Sequence, residues 1–250
     1  MKISVNVPTC NESKIIKKFI NNVKQIADEI ILIDNSSDNT VKIAKRLSSK
    51  VKIINYPVKH FAKIRNKGIN AVKKGWYVLF MDADELLSKQ LINELKELKK
   101  SDGLDAYLIR RRNYFKYKHG TACLTTRFIK GEPKLFKKGT VKFINVSHEK
   151  AVYTKKNLKI KELQGPTLHY PEVGKYKVGG KYMTMYVKGT IKRGSFKKEL
   201  KKELKQLIKY ILIFNYHPRY WIGNLIFFYQ SIKHTISFIK QYYKLKSGVK

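Results

Sequence analysis

Apolar and polar positions follow two rhythms along this chain, and the change between them falls near residue 103. Ile3, Val5 and Val7 recur at every second position, the period of an extended strand, and Pro8 ends the run. Ile15, Ile16, Phe19, Ile20, Val23 and Ile26 then share one helical stripe, with Asn11 placed to cap it. Glu29 to Ile33 reads as a buried strand that ends in Asp34 and the turn-rich run Asn35 to Thr40. A short strand over Val51 to Ile54 precedes a helix from about Phe61 to Lys74, with Arg65 and Asn66 near its start. Next comes Trp76 to Met81, apolar throughout and suited to a central strand covered on both faces. From near Ser88 a helix buries Leu91, Ile92, Leu95 and Leu98. This alternation predicts an α/β, doubly wound, mostly parallel sheet over residues 1–103.

Beyond residue 103 the pieces become short and β-prone: Ala106 to Arg110, Arg127 to Ile129, Lys134 to Phe136 and Val141 to Val146. They predict a small, partly antiparallel sheet over 104–171 within the same domain, with loops able to hold a second substrate. Residues 172–250 read as a helical appendage. Leu200, Leu204, Leu207, Ile208, Ile211 and Leu212 make a basic amphipathic helix of 196–214, and Pro218 interrupts it. Tyr220 to Ile239 has the length of a membrane span, yet Asn224, Gln230, Lys233 and His234 lie inside it. Aromatic residues beside Lys fit a helix lying on a membrane surface better.

The abrupt end of the apolar run at Asp82, Asp84 and Glu85 is the strongest chemical signal. On extended chain Asp82 and Asp84 would project to one side and Ala83 to the other. Two carboxylates so placed repel each other and favour a hard divalent cation, Mg²⁺ or Mn²⁺. The C-terminal edge of a parallel sheet is also where open α/β folds bind ligands. Asp34 ends its own strand at the same level. Asp84 or Ser88 could instead cap the following helix, which would account for one residue of the cluster.

Composition adds a formal net charge of +36, almost all of it from Lys spread along the whole chain. Such charge draws a protein to anionic lipid surfaces or polyanionic substrates. Nucleic acid is not the expected partner, because zinc-finger spacing, RNA-binding aromatic motifs and basic-zipper patterns are missing. Cys10 and Cys123 lack metal or redox spacing and are expected to stay reduced. No leader pattern opens the chain, so a cytoplasmic location is expected, peripheral on the inner face of the cell membrane.

Four segments in order, ISVNVPTCNES, IILIDNSSDNT, HFAKIRNKGI and VLFMDADE, resemble family 2 glycosyltransferases of the GT-A fold. The later RRNYF, RFIKGEPKLFKKGTVKF, His148-Glu149 and the LHY of Leu168 to Tyr170 are similar to the branch that includes lipopolysaccharide-core β-glucosyltransferases. The resemblance covers residues 1 to about 190. The chain departs from the family pattern at Asn6 and Cys10 and in having no second Asp after Glu149.

The resemblance implies inverting transfer of a sugar from a nucleotide-diphosphate sugar to a hydroxyl of a lipid-linked or cell-surface glycan. It puts Pro8, Thr9, Asn11 and Glu12 along the ribose and base, Asp34 against the base ring, and Arg65 near the diphosphate. Asp82 and Asp84 would hold the metal that bridges the phosphates, with His169 as a further ligand. Glu149 is the expected base for the acceptor hydroxyl, oriented by His148 or replaced by it. Two other classes compete. A nucleotidyltransferase would show a Gly-rich basic loop after the first strand, where Pro8 to Ser13 has no Gly. A basic anion-binding or nucleic-acid-binding protein would show steep salt-dependent binding and no response to nucleotide sugars.

Overall fold

The computed structural model describes residues 1–57, 61–101, 103–117, 120–123, 131–144, 149–170, 194–201, 204–205 and 221–247. Along the first hundred residues come β1 (Ile3–Thr9), α1 (Ile16–Val23), β2 (Glu29–Asp34), α2 (Thr40–Leu47), β3 (Val51–Asn55) and α3 (Phe61–Ala71). They are followed by β4 (Tyr77–Phe80), β5 (Glu85–Leu87) and α4 (Lys89–Leu98). The β-rich stretch contributes β6 (Ala106–Ile109), β7 (Arg111–Tyr117), β8 (Gly120–Cys123), β9 (Glu132–Lys137), β10 (Val141–Ile144), β11 (Lys150–Tyr153), β12 (Ile160–Glu162) and β13 (Thr167–His169). The expected strand at Arg127 to Ile129 lies outside the described residues.

The main sheet has seven strands in the order β12-β6-β9-β4-β1-β2-β3. Every pairing is parallel except the two made by β9, which runs antiparallel between β4 and β6. In the β-rich stretch over 104–171, β6, β9 and β12 extend the first sheet, with β9 antiparallel within it. The residues of β9 alternate too weakly to reveal that both its neighbours are buried strands. Apart from this sheet, β10 and β11 form an antiparallel ribbon and β5 pairs antiparallel with β13.

Two apolar layers cover the sheet. Ile3, Val5 and Val7 of β1 join Ile16, Phe19 and Ile20 of α1 and Leu91 and Leu95 of α4 on one face. Ile31 and Ile33 of β2, Val78 and Phe80 of β4 and Phe136 of β9 meet Ile64 and Ile69 of α3 on the other. β2 is buried at all six positions, as a strand covered on both faces must be. Gly68 lets α3 approach closely, since a Cβ there would lie 2.7 Å from Ile33 Cδ1 and 2.9 Å from Asn6 Nδ2. That close approach fixes Arg65 one turn earlier. Ser88 caps α4 by accepting from the N–H of Leu91.

By contact, residues 1–112, 126–145 and 149–170 form one compact unit, and 113–125, 146–148 and 171–250 form a second. In the second unit, residues 114–117 of β7 pair antiparallel with β8, residues 196–201 are helical, and α5 spans Trp221–Lys246. Phe196 stacks on Phe238 and Tyr242 of α5, with centroids 5.7 and 3.9 Å apart. Among the described residues no helix is long and apolar enough to cross a membrane. Pro218 and most of the basic amphipathic helix expected over 196–214 lie outside the described residues.

Candidate active site

At the C-terminal edge of the sheet the loops after β1 and β2 are laced together. Register places Thr9 opposite Asp34. The Asp34 side chain, 3% exposed, accepts from Thr9 Oγ1 at 2.6 Å, from Ser36 Oγ at 2.6 Å and from the Ser36 N–H at 2.9 Å. A carboxylate offers about four lone-pair directions, so among the described residues one on Oδ2 is left without a donor.

Asn11 does not cap α1. The residue before α1 is Ile15, whose side chain makes no cap, and the N–H groups of Ile15 and Ile16 reach the carbonyl of Glu12 at 3.0 and 2.9 Å. Asn11 instead adopts φ +58, a left-handed conformation that Asn tolerates. From there its Oδ1 accepts from the N–H of Ser37 at 2.8 Å, and its own N–H donates to Ser36 Oγ. The Glu12 N–H donates to Thr40 Oγ1 at 2.8 Å. Pro8 is half-buried at the end of β1.

Across the edge, the chain turns at Asp82 to Asp84 between β4 and β5, with the N–H of Glu85 returning to the carbonyl of Asp82. The pair therefore lies in a turn, not on extended chain as expected. The apolar run ends one residue earlier, at buried Met81. The exposure pattern nonetheless alternates: Asp82 and Asp84 are partly exposed while Ala83 is buried.

Arg65 of α3 reaches this turn, its Nη2 3.3 Å from Asp82 Oδ1. The same guanidinium donates to Glu149 Oε1 through Nε and Nη2. It also lies over the Phe80 ring at 3.9 Å and near the Phe143 ring at 5.2 Å. Asn66 fastens the ribbon that carries Phe143, donating to its carbonyl at 2.8 Å and accepting from its N–H at 2.9 Å. Glu149 directly precedes β11, so Asn66 also helps hold it beside Arg65. His148 lies outside the described residues.

His169 Nε2 stands 3.3 Å from Asp84 Oδ2, and register opposes His169 to Glu85. Burial works against ionisation of Asp82, but Arg65, then Lys134, Arg111 and His169 outweigh it and hold the carboxyl below its usual range. Lys134, from β9, is the unforeseen member: it grips the fully buried Glu85 through both oxygens at 2.6 and 2.5 Å.

Among the described residues no group of three or more His, Cys, Asp or Glu is gathered tightly enough to hold a metal by itself. Adjacent ligands of an octahedral ion with bonds near 2.1 Å lie about 3 Å apart. The Asp84–His169 separation suits such a pair, and two carboxylates with one imidazole form a donor set that suits Mn²⁺. Small divalent ions are commonly held by one or two carboxylates with substrate phosphates completing the shell. The residues present fit the ion on those terms.

The sheet order, the single antiparallel strand and the acidic turn at the strand edge define a GT-A fold. The family model described as Glycosyl transferase family 2 matches residues 4–159, more than half of the chain. This chain belongs to glycosyl transferase family 2. An uncharacterized glycosyltransferase of Rickettsia bellii is 40% identical over 108 residues, covering 43% of this chain and 36% of that protein. One of Mycoplasma genitalium is 29% identical over 157 residues, covering 54% of this chain and 50% of that protein. The matches thus span between about a third and half of those relatives' length. In fold, the chain is similar to S. aureus TarS 1–349 in complex with UDP-GlcNAc, with a TM-score of 0.54 at 15% identity over 99% of this chain and 92% of that one.

Within this family 2 domain, the residues expected at the base and ribose share one laced loop pair. Arg65, Asp82 and Glu149 form one ion-paired group, and Asp84 with His169 forms a neighbouring one. Sequence reasoning missed Lys134, Phe80 and Phe143 as site neighbours. The only clue to Lys134 was a lone cation between Pro133 and Leu135 in a strand otherwise suited to burial.

Proposed function

We propose that this chain transfers a sugar, with inversion and with a divalent metal, from a nucleotide-diphosphate sugar to a hydroxyl of a lipid-linked or cell-surface glycan. The observation that carries this reading is Arg65, a largely buried cation flanked by Asp82 and Glu149 at the C-terminal edge of the sheet. Pro8, Thr9, Asn11 and Glu12 line the ribose and base, and the spare lone pair of Asp34 Oδ2 receives the base ring. Asp82, Asp84 and His169 would hold the metal, which when bound would neutralise charge on the departing diphosphate.

Arg65 turns from Glu149 to the donor phosphates, where a fixed cation stabilises the leaving group as charge builds. Glu149, or His148 beside it, then accepts the proton of the acceptor hydroxyl. The acceptor oxygen bonds to the anomeric carbon as the carbon–phosphate-oxygen bond breaks, and that electron pair leaves with the nucleoside diphosphate. Similarity of the later motifs to lipopolysaccharide-core β-glucosyltransferases favours a cell-envelope glycan as acceptor. Purified protein incubated with Mn²⁺ and a nucleotide-sugar panel should turn over at least one donor, and Asp84→Ala or chelation should abolish this. Turnover that survives both would reject the metal.

The same reading places the protein on the cytoplasmic face of an anionic membrane. On α5, Tyr229, Lys233, Ile236 and Lys240 are exposed at steps of four and three residues, opposite Phe238, and the exposed Tyr243 continues the row beside Phe196. Residues 204–250 contain no Asp or Glu. Exposed aromatics among lysines suit an acidic lipid surface. The triple variant Tyr229→Ser, Ile236→Ser, Tyr243→Ser should co-sediment less with phosphatidylglycerol vesicles than the parent; equal partitioning would refute this surface.

A further inference from the structure

We infer that Glu85 and Lys134 are a buried positioning pair that sets the Asp82–Asp84 turn for the transfer reaction. The inference rests on the transferase reading for its kinetic part and on geometry alone for the rest. Glu85 has no exposed surface, and Lys134 is nearly as buried. The Glu85 carboxylate takes the Lys134 ammonium through both oxygens at 2.6 and 2.5 Å. Its Oε2 also accepts the backbone N–H of Asp82 at 3.3 Å. Arg111 stands 3.7 Å from the other oxygen. One side chain thereby ties the first residue of the acidic turn to its last, and a cation from the antiparallel strand holds that tie rigid.

Stability does not account for such a pair. Removing two charges from water costs several kcal/mol per ion before their attraction is counted, and apolar residues of similar volume are often equal or better. What an apolar pair cannot do is accept the Asp82 N–H or offset repulsion among three carboxylates within four residues. Lys134 and Arg111 bring two cations to a turn that carries Asp82, Asp84 and Glu85. Asp82 and Asp84 stay partly exposed at the site, while Glu85 is withdrawn from it. Neither Lys134 nor Glu85 needs to touch substrate.

The test compares the full chain with Glu85→Met/Lys134→Met and with Lys134→Arg. Hydrogen exchange at the Asp82 amide, melting temperature, and the Mn²⁺ dependence of donor turnover are measured for each. A positioning role gives a Met/Met variant that melts near the parent, exchanges the Asp82 amide at least about tenfold faster, and loses kcat about 10- to 100-fold at saturating donor. Lys134→Arg, which keeps a cation, should restore exchange and most of the turnover. A Met/Met variant with parent-like exchange and turnover overturns the inference. So does a loss shared by both variants in step with lowered melting temperature and with faster exchange throughout β1 and β2, because the pair would then only stabilise the fold. If the parent turns over no nucleotide sugar, the transferase reading fails while the exchange measurement still decides the pair.

Discussion

Two acidic centres sit on one sheet edge and are answered in opposite ways. Asp34 is satisfied by neutral donors from its own neighbourhood: a hydroxyl on the adjacent strand and the hydroxyl and N–H of Ser36. Asp82 and Glu85 are answered by full charges carried from afar, with Arg65 on α3, Lys134 on β9 and Arg111 on β7. Neutral donors fixed to the neighbouring backbone order a loop by short hydrogen bonds, so the Asp34 centre is suited to holding a constant shape. Charged partners can be exchanged for a charged ligand, and an Arg shared by two carboxylates can pass to a phosphate at little electrostatic loss. Under the proposed function, the first centre would serve recognition and the second chemistry.

The contrast breaks most severely at Arg65. Arg65→Met keeps the packing against Phe80 and Phe143 but leaves Glu149 and Asp82 without their cation. Losing one buried partner of an ion pair typically costs about 3–5 kcal/mol, and losing a donor that faces developing negative charge lowers turnover about 10²- to 10³-fold. Thermal melting and single-turnover donor assays should show both effects. A variant that keeps kcat would move the leaving-group cation to another residue.

Much of this was legible locally. The stripe Ile16, Phe19, Ile20, Val23 announced α1, the run ending at Met81 announced β4, and the acidic cluster announced the end of that strand. These readings depend only on side-chain period and burial, which neighbours in sequence report. Arg65 and Glu149 are 84 residues apart and Glu85 and Lys134 are 49 apart, so their pairing depends on where β9 and the β10–β11 ribbon dock. Asn11 was misread for a related reason. As a helix cap it would have needed extended backbone next to α1, but the loop after β2 offered its side chain two N–H groups four residues earlier.

At the neutral centre the effect of mutation should be smaller and of a different kind. Asp34→Asn replaces one acceptor oxygen with a donor and confronts either the Ser36 N–H or the two hydroxyls. The hydroxyls can rotate away, whereas the N–H cannot. A buried donor left without a partner costs about 1–3 kcal/mol. Because the amide can face the rotating hydroxyls, unfolding free energy should fall by no more than that amount, with donor KM raised and kcat close to the parent. A fall in kcat as large as that of Arg65→Met would erase the division between recognition and chemistry.

The gentlest probe is Asp38, on the exposed rim of the same loop pair. Its carboxylate accepts from the N–H and Oγ1 of Thr40 and from the N–H of Ser13. Slight burial works against ionisation, yet these hydrogen bonds, Thr40 first and then Ser13, hold the pKa down to about 2 from an ordinary 3.8. Because the folded value is depressed, the ionised group contributes its full stability above 3.8 and loses it as pH falls towards about 2. Asp38→Asn removes the titration, so the small gap in stability between parent and variant at neutral pH should narrow across that window. Urea melts of both proteins at several pH values between 7 and about 2 would show it. A gap that stays constant would mean that the loops are braced by hydrogen bonds indifferent to charge, which would extend the neutral character of the Asp34 centre to its rim.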